Sequence, residues 1–258
     1  MTRHAHIINC FKPYFGPIAP GFTSDFLGVM SCDSLTEAQP DYSPKQLPKD
    51  LLVQAAYPPF DSEYLEWVVL LDTITNCQDS FTMVDLGAGW GRWLARAAKA
   101  AEQCNIPKIK LVAAEADDGH FKLLHKHFLE NNIDPENHHL VKAAVGENEG
   151  EAWLCTGDNN RWYGQHLVDK KMTTTLNNEP AGEMINGPVK KMMAEDFLSQ
   201  VEVQTSYQKV PVIALRTLVA GHDKIDYLNV DIQGAEVEVL TSATEVLKQK
   251  VVRTNVAT

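Results

Sequence analysis

A glycine-rich turn between an apolar segment and an alanine-rich segment is the feature that most constrains the fold of this chain. Residues 81–86 are mostly apolar, Gly87, Gly89 and Gly91 follow at alternate positions, and residues 92–104 have the composition of a helix. Glycine adopts positive φ at no steric cost and lets another backbone or a ligand approach closely. The pattern therefore predicts a buried strand, a tight turn and a helix in direct succession.

Strands and helices alternate along most of the remaining chain. The predicted strands are 81–89, 110–116, 138–146, 151–157, 224–232 and 251–258, and the predicted helices between them are 92–104, 119–132 and 235–250. Strands that alternate with helices of this length usually pair in parallel. The sequence therefore predicts an α/β protein with a doubly wound, mostly parallel sheet that is covered on both faces.

Two stretches depart from this alternation. Eight of the 13 prolines fall before residue 60, and because proline has no backbone donor, residues 1–60 are predicted to form a turn-rich N-terminal extension. Its apolar side chains, such as Phe11 and Phe26, indicate that it packs on the main domain, residues 61–258. Within that domain, residues 158–208 are polar and rich in Thr, Asn, Gly and Pro, which is typical of a functional lid or a disordered insert.

Composition restricts the partners and the compartment. The 258 residues carry a net charge of −11 and form no basic patch beyond isolated lysine pairs, so neither nucleic acid nor an anionic membrane surface is an expected partner. No apolar run approaches the length of about 18 residues that spans a bilayer, and the N-terminus lacks the pattern of a secretory signal. The five cysteines are scattered and include no C-x-x-C pair, as expected for reduced thiols. We therefore predict a cytoplasmic protein.

The glycine turn and the carboxylate after the next predicted strand point to a nucleoside ligand. In residues 85–91 the glycines are spaced G-x-G-x-G, and Arg92 stands where the nicotinamide-binding pattern G-x-G-x-x-G has its last glycine. The acidic start of the turn, Asp85, is typical of S-adenosylmethionine sites. Glu115 follows Asp85 by 30 residues, at a strand end where a carboxylate accepts hydrogen bonds from both ribose hydroxyls. The glycine turn alone is also compatible with a tight strand-to-helix turn that binds no ligand, and Glu115 alone with a solvated strand end.

Several segments together resemble the FkbM-like methyltransferases. They are residues 85–91, Glu115, residues 143–150 and residues 229–236. The first is shared by many methyltransferases, whereas the pattern aspartate-x-x-glycine-x-glutamate, from Asp231 to Glu236, is far more selective. The resemblance implies a class I methyltransferase (Rossmann-like) fold. It also implies transfer of a methyl group from S-adenosylmethionine to a hydroxyl of a small natural product, a polyketide-like compound or a saccharide.

The resemblance further implies roles for individual residues. Those expected to contact the cofactor are, in chain order, Asp85, Gly87, Gly89, Glu115 and Ala144. Among them, Glu115 would hold the ribose and Ala144 would lie near the adenine, while Asp231 would face the methyl-transfer centre. For Trp90, which is expected to pack over the cofactor, burial in the core is the alternative.

Two features depart from the family pattern. Gln233 stands where the family commonly has glutamate, so a second charge beside Asp231 is not expected. The chain ends at Thr258, just after the fifth strand of the predicted parallel sheet, whereas this fold normally adds a helix and an antiparallel hairpin. We therefore expect either that other segments complete the sheet or that the fold is truncated.

A hydroxyl that accepts a methyl group must lose its proton, so we expect a general base. Asp231 is a candidate because it ends a strand at the sheet edge where α/β folds bind ligands. His166, among the aromatic and polar residues of the insert, is a second candidate, since histidine titrates near neutral pH. His120 is a third, for which a capping or solvent-facing position is the expected alternative. A divalent metal held by Asp231 with Asp158 or Gln233 is a further possibility.

Taken together, these features predict an S-adenosylmethionine-dependent O-methyltransferase that acts by in-line transfer to a small-molecule or carrier-linked hydroxyl. A catalytically inactive binding module that retains the methyltransferase fold is one alternative. A nicotinamide-dependent oxidoreductase is the other, and the glycine spacing disfavours it.

Overall fold

The computed structural model describes residues 4–36, 51–156, 166–168 and 206–257. The helices in these ranges are α1 Ala5–Ile8, α2 Asp33–Thr36, α3 Tyr64–Thr75, α4 Arg92–Gln103, α5 Asp118–Glu130, α6 Leu215–Leu218, α7 Glu236–Ser242 and α8 Thr244–Lys250. The strands are β1 Phe15–Ile18, β2 Phe22–Ser24, β3 Met30–Cys32, β4 Leu51–Gln54, β5 Phe81–Leu86, β6 Ile109–Ala114, β7 His139–Val141, β8 Ala144–Gly146, β9 Gly150–Thr156, β10 His166–Val168, β11 Ser206–Ala214, β12 Tyr227–Val230 and β13 Thr254–Val256. None of these described helices combines the length and apolarity that crossing a membrane requires.

A five-stranded parallel sheet forms the centre of the fold, in the order β13-β12-β5-β6-β7. From the middle strand β5 the chain proceeds to β6 and β7 on one side, and later adds β12 and β13 on the other. The predicted α/β fold with a doubly wound parallel sheet is thereby confirmed. Because the connections that follow β5 and β12 lie on opposite faces, a crevice opens at the carboxyl ends of these two strands.

Alternate residues of β5 enter two hydrophobic cores, one on each face of the sheet. Phe81 and Met83 belong to the core that includes α3, α4 and α5. Val84 and Leu86 belong to the core that includes α6 and α7. Side chains of a strand point alternately to its two faces, and here both faces are covered. This is why β5 reads in the sequence as an almost continuous apolar run.

The described N-terminal residues pack against α3 and α4. Phe11 and Phe26 are buried in the same core as Trp67 of α3. Arg96 of α4 supplies a polar anchor, because its Nε lies 2.9 Å from Oδ2 of Asp25 while its guanidinium lies 4.2 Å from the centre of the Trp67 ring. The antiparallel pairs β1–β4 and β2–β3 are short, as expected for a segment rich in proline.

Two predicted elements are divided in the structure. The single strand predicted over 138–146 is wrong, since it contains β7 of the central sheet and β8 of a second sheet. The chain turns between them, where the N–H of Ala143 donates to the carbonyl of Val141 at 3.1 Å. The single helix predicted over 235–250 is also wrong, because α7 and α8 are separated at Ala243, which has φ −103° and ψ 14°.

The second sheet has the order β10-β9-β11-β8. Its strand β9 is antiparallel to both β10 and β11, whereas β8 and β11 are parallel. The predicted insert, residues 158–208, contributes β10 and the first residues of β11 to this sheet. Residues 157–165 and 169–205 lie outside the described residues, so the prediction of a lid stays a prediction.

Candidate active site

The crevice between β5 and β12 is built on a close backbone contact. Gly87, directly after β5, has φ 76°, and a Cβ at this position would overlap the carbonyl oxygen of Asp231, directly after β12. The N–H of Asp231 in turn donates to the carbonyl of Leu86 at 2.9 Å. Glycine alone accommodates both the positive φ and the close approach. Gly87 therefore allows the two strand ends to meet.

The other two glycines of the turn direct the chain towards Glu115 and α4. Gly89, with φ 54°, donates its N–H to Oε2 of Glu115 at 2.7 Å. Gly91, with φ 77°, precedes the first residue of α4, and a Cβ there would overlap the side chain of Leu124. The glycine turn and the carboxylate after β6, which the sequence places 26 residues apart, are thus in direct contact.

Glu115 is buried, and backbone groups bind both of its oxygens. Oε1 accepts the N–H of Asp117 at 2.8 Å, while Oε2 accepts the N–H of Gly89. Burial raises the pKa of Glu115 from 4.5 to about 7, and these hydrogen bonds act in the opposite direction. A carboxylate has about four acceptor positions, and a third backbone N–H, that of Ala116, also acts on this one. At least one position is therefore left for a ligand, which fits a ribose hydroxyl.

An open cavity extends from the glycine turn to the second sheet, with a volume of about 650 Å³ when the solvent at its mouth is included. Its lining combines a few polar groups with a larger apolar wall. The polar side chains are Glu115, His120, Asp231 and Gln233, and the remaining lining residues are Gly87, Gly89, Ala114, Ala116, Ala143, Ala144, Val145, Leu154, Leu167 and Ile232. This composition is typical of a site for a small organic molecule. The predicted residues Gly87, Gly89, Glu115, Ala144 and Asp231 all line it.

Asp85 lies within β5 and is absent from the lining of this cavity. Its Oδ1 accepts a hydrogen bond from Nδ2 of Asn229 at 2.9 Å, and Oδ1 of Asn229 accepts one from Nδ2 of Asn255 at 2.9 Å. Burial raises the pKa of Asp85 to about 7, whereas the bond from Asn229 lowers it. These three side chains link the ends of β5, β12 and β13. The sequence predicted no role for Asn255, and it marked Asn229 only as the first residue of the segment 229–236 that resembles the family.

Trp90 also lies away from the cavity. It packs with Cys32 and Leu35 of the N-terminal segment, and its ring meets the ring of His127 edge-on at 4.6 Å. The glycines on either side of it, Gly89 and Gly91, both have positive φ. Trp90 thus occupies a core position, the alternative to a position over the cofactor.

The loop after β12 places a second polar side chain, that of Gln233, beside Asp231 at the cavity. Nε2 of Gln233 donates to Oδ1 of Asp231 at 2.7 Å. Glu236, the last residue of the aspartate-x-x-glycine-x-glutamate pattern, accepts the N–H groups of Ile232 and Gly234 and so closes the loop. Burial raises the pKa of Asp231, the bond from Gln233 lowers it, and the charge of Glu236 raises it.

His120 lines the cavity and does not cap α5, so the expected capping or solvent-facing position is wrong. The cap of α5 is Asp117, whose Oδ1 accepts the backbone N–H of His120 at 2.8 Å. The imidazole Nδ1 lies 3.9 Å from Oε1 of Glu115, which is too long for a hydrogen bond. Burial lowers the pKa of His120 from 6.5, so the ring is neutral at pH values near 7.

His166 begins β10 and pairs with Cys155 of β9, but its side chain lies outside the described part of the structure, as does the whole of Asp158. The predictions for these two residues stay predictions. Within the described ranges, no group of three or more His, Cys, Asp or Glu side chains is placed to hold a metal ion. Of the residues predicted as metal ligands, Asp231 and Gln233 are described, and their side chains are hydrogen-bonded to each other.

Leu154 and Leu167 also line the cavity, although the sequence predicted no role for either residue. They pair directly with each other across β9 and β10. Their apolar character is visible in the sequence, but the pairing of β9 with β10 decides that both lie at the cavity.

Comparison with known proteins identifies the family. The methyltransferase FkbM domain matches residues 85–257, from the glycine turn to the end of β13. A protein of Jannaschia sp. (strain CCS1) to which methyltransferase activity is attributed is 24% identical over 234 residues, which cover 88% of this chain and 72% of that protein.

A crystal structure of the methyltransferase FkbM from Methylobacillus flagellatus KT is 14% identical and has a TM-score of 0.38. That match covers 74% of this chain, which spans 44% of the length of the crystallised protein. The FkbM resemblance predicted from the sequence is confirmed by the domain match over more than half of the residues. The chain therefore belongs to the FkbM methyltransferase family.

Proposed function

We propose that this protein is an S-adenosylmethionine-dependent O-methyltransferase that acts on a hydroxyl of a small natural product, a polyketide-like compound or a saccharide, free or carrier-linked. One observation carries the proposal: Gly89 and Glu115, joined by a 2.7 Å hydrogen bond, line the same cavity as Asp231. A group suited to ribose hydroxyls and a group suited to proton uptake therefore share one site.

Glu115 would bind the ribose through its remaining acceptor positions. Hydrogen bonds to a charged group contribute about 1.5–3 kcal/mol each, and this requires the ionised carboxylate. The small and aliphatic residues Ala144, Leu154 and Leu167 would hold the adenine, because a flat ring gains from burial against an apolar wall. The residues present thus fit the nucleoside part of the cofactor.

When bound, S-adenosylmethionine supplies a methyl group on a sulfonium centre, which is already activated for transfer. The protein has to align the acceptor and remove its proton. Alignment accounts for roughly 7–11 kcal/mol in well-oriented reactions, whereas a positioned base adds about 10²–10⁴-fold. Asp231 is the proposed base, since it lines the cavity at the end of β12 and burial raises its pKa. The sequence alone supports His166 as a second candidate.

Calorimetric titration with S-adenosylhomocysteine and, separately, with NAD tests the cofactor. We expect saturable binding of S-adenosylhomocysteine and none of NAD; the reverse result would reject the proposal. Transfer of a labelled methyl group to a panel of hydroxyl compounds tests the reaction. A protein that binds S-adenosylhomocysteine but labels no member of a broad panel would instead be the inactive binding module.

A further inference from the structure

Gln233 has a backbone conformation that its residue type rarely adopts. Its φ is 53°, in the left-handed region that side chains with a Cβ disfavour. The other non-glycine residues with positive φ in the described ranges are Asn105 and Asn132, and asparagine tolerates this region much better. Such strain persists only where the surroundings hold it, and strained residues concentrate at functional sites.

Hydrogen bonds on both sides hold Gln233 in this conformation. Oε1 of Glu236 accepts the N–H of Ile232 at 3.2 Å, and Oε2 accepts the N–H of Gly234 at 2.9 Å. The two neighbours of Gln233 are therefore bound to one carboxylate. At the start of the loop, Asp231 is fixed by its own N–H bond to the end of β5 at 2.9 Å. The left-handed turn is thus imposed by its surroundings.

This turn brings the side chain of Gln233 back onto Asp231. Nε2 donates to Oδ1 at 2.7 Å, and both side chains line the cavity. The bond takes up one acceptor position of Oδ1, so Oδ2 is the oxygen better placed to receive a proton. We propose that Gln233 is a positioning residue that orients the Asp231 carboxylate for proton uptake from the acceptor hydroxyl. The inference rests on the proposed function, in which Asp231 is the base.

The charges around Asp231 explain why an amide suits position 233. Burial and then the charge of Glu236 on the same loop raise the pKa of Asp231, and the charge of Asp231 in turn raises the pKa of Asp85 on β5 and of Glu66 on α3. Burial and Glu236 therefore disfavour an ionised Asp231. An amide donor opposes this effect without adding a charge. A glutamate at position 233 would bring a second carboxylate within hydrogen-bond distance, and the pair would share one proton near neutral pH.

In the proposed step, the acceptor oxygen attacks the methyl carbon while its proton moves to Oδ2 of Asp231. The carbon–sulfur bond breaks, and its electron pair stays on sulfur as a neutral thioether. The proton then leaves Asp231 for the solvent. Gln233 touches none of the reacting atoms and acts only by fixing the carboxylate.

The test measures the pKa of Asp231 in the cofactor-free protein, by ¹³C NMR of carboxyl-labelled aspartate with Asp231→Asn for assignment. Gln233→Gly keeps the positive φ without strain and removes the side chain, whereas Gln233→Glu keeps its size. Asn132→Gly, at φ 60° and outside the cavity lining, is the control. We expect both Gln233 variants to raise the pKa of Asp231 by about one unit or more and the control to leave it unchanged. Gln233→Gly should resist urea at least as well as the wild type.

An unchanged pKa of Asp231 in both Gln233 variants would overturn the proposal. Titration of the same samples with S-adenosylhomocysteine separates this failure from failure of the proposed function. Normal affinity with an unchanged pKa refutes only the role of Gln233, whereas a wild-type protein that does not bind S-adenosylhomocysteine refutes the cofactor assignment.

Discussion

Replacing Glu115 with glutamine tests whether burial raises the pKa of this carboxylate and whether the carboxylate binds a ligand. In the cofactor-free protein, burial raises its pKa from 4.5 to about 7. A folded-state pKa above the unfolded-state value means that the stability contribution is complete below the unfolded pKa and is lost as pH rises through the folded pKa. The free energy of unfolding of the wild type, compared with that of a variant that does not titrate here, should therefore fall by about 2 kcal/mol from about pH 5.5 to 8.5.

Urea unfolding of wild type and Glu115→Gln across this pH range isolates the effect. Glutamine offers one acceptor oxygen, so the N–H of Gly89 or of Asp117 loses its partner, but this loss is the same at every pH. Asp85 also titrates in this range, yet it is present in both proteins and cancels in the difference. The exposed residue Glu147 supplies the control Glu147→Gln, whose curve should stay parallel to that of the wild type.

Glu115→Gln should also bind S-adenosylhomocysteine about 10–150-fold more weakly than the wild type does, which corresponds to losing one charge-assisted hydrogen bond. Wild-type affinity should rise with pH through about 7, because ribose hydroxyls favour the ionised carboxylate. Parallel unfolding curves for wild type and Glu115→Gln would show that burial does not perturb this group. An unchanged affinity would remove Glu115 from the binding site.

Three further sets of substitutions test the frame of the site, the first two by urea unfolding. Gly87→Ala should cost about 3 kcal/mol or more because its Cβ overlaps the carbonyl of Asp231, whereas Gly89→Ala, with nothing within 4 Å of its Cβ, should cost only the φ strain of about 1 kcal/mol; equal losses would refute this reading. Arg96→Met should cost about 3 kcal/mol, since it leaves Asp25 without its buried partner, and a loss below about 1 kcal/mol would mean that the pair is not an anchor. Asp231→Asn should leave S-adenosylhomocysteine affinity unchanged and lower methyl transfer by about 10²–10⁴-fold; normal turnover would make Asp231 a loop residue only.

The glycine turn is the part of the site that local sequence determines most fully. A strand, a turn with positive φ and a helix follow from the apolar run, Gly87, Gly89 and Gly91, because backbone sterics at a glycine depend little on distant residues. The apolar runs of β5 and β6 and the alanine-rich composition of α4 are local signals as well. These features predicted the α/β fold and, through the resemblance, the family.

The tertiary structure alone decided how the segments share the two sheets and where each side chain lies. The apolar stretch 138–146 looks continuous in the sequence but is divided between two sheets, Trp90 lies in the core although its motif belongs to the cavity, and Leu167 reaches the cavity through its pairing with Leu154. Strand pairing and side-chain burial depend on partners that are distant along the chain, and adjacent residues do not specify those partners.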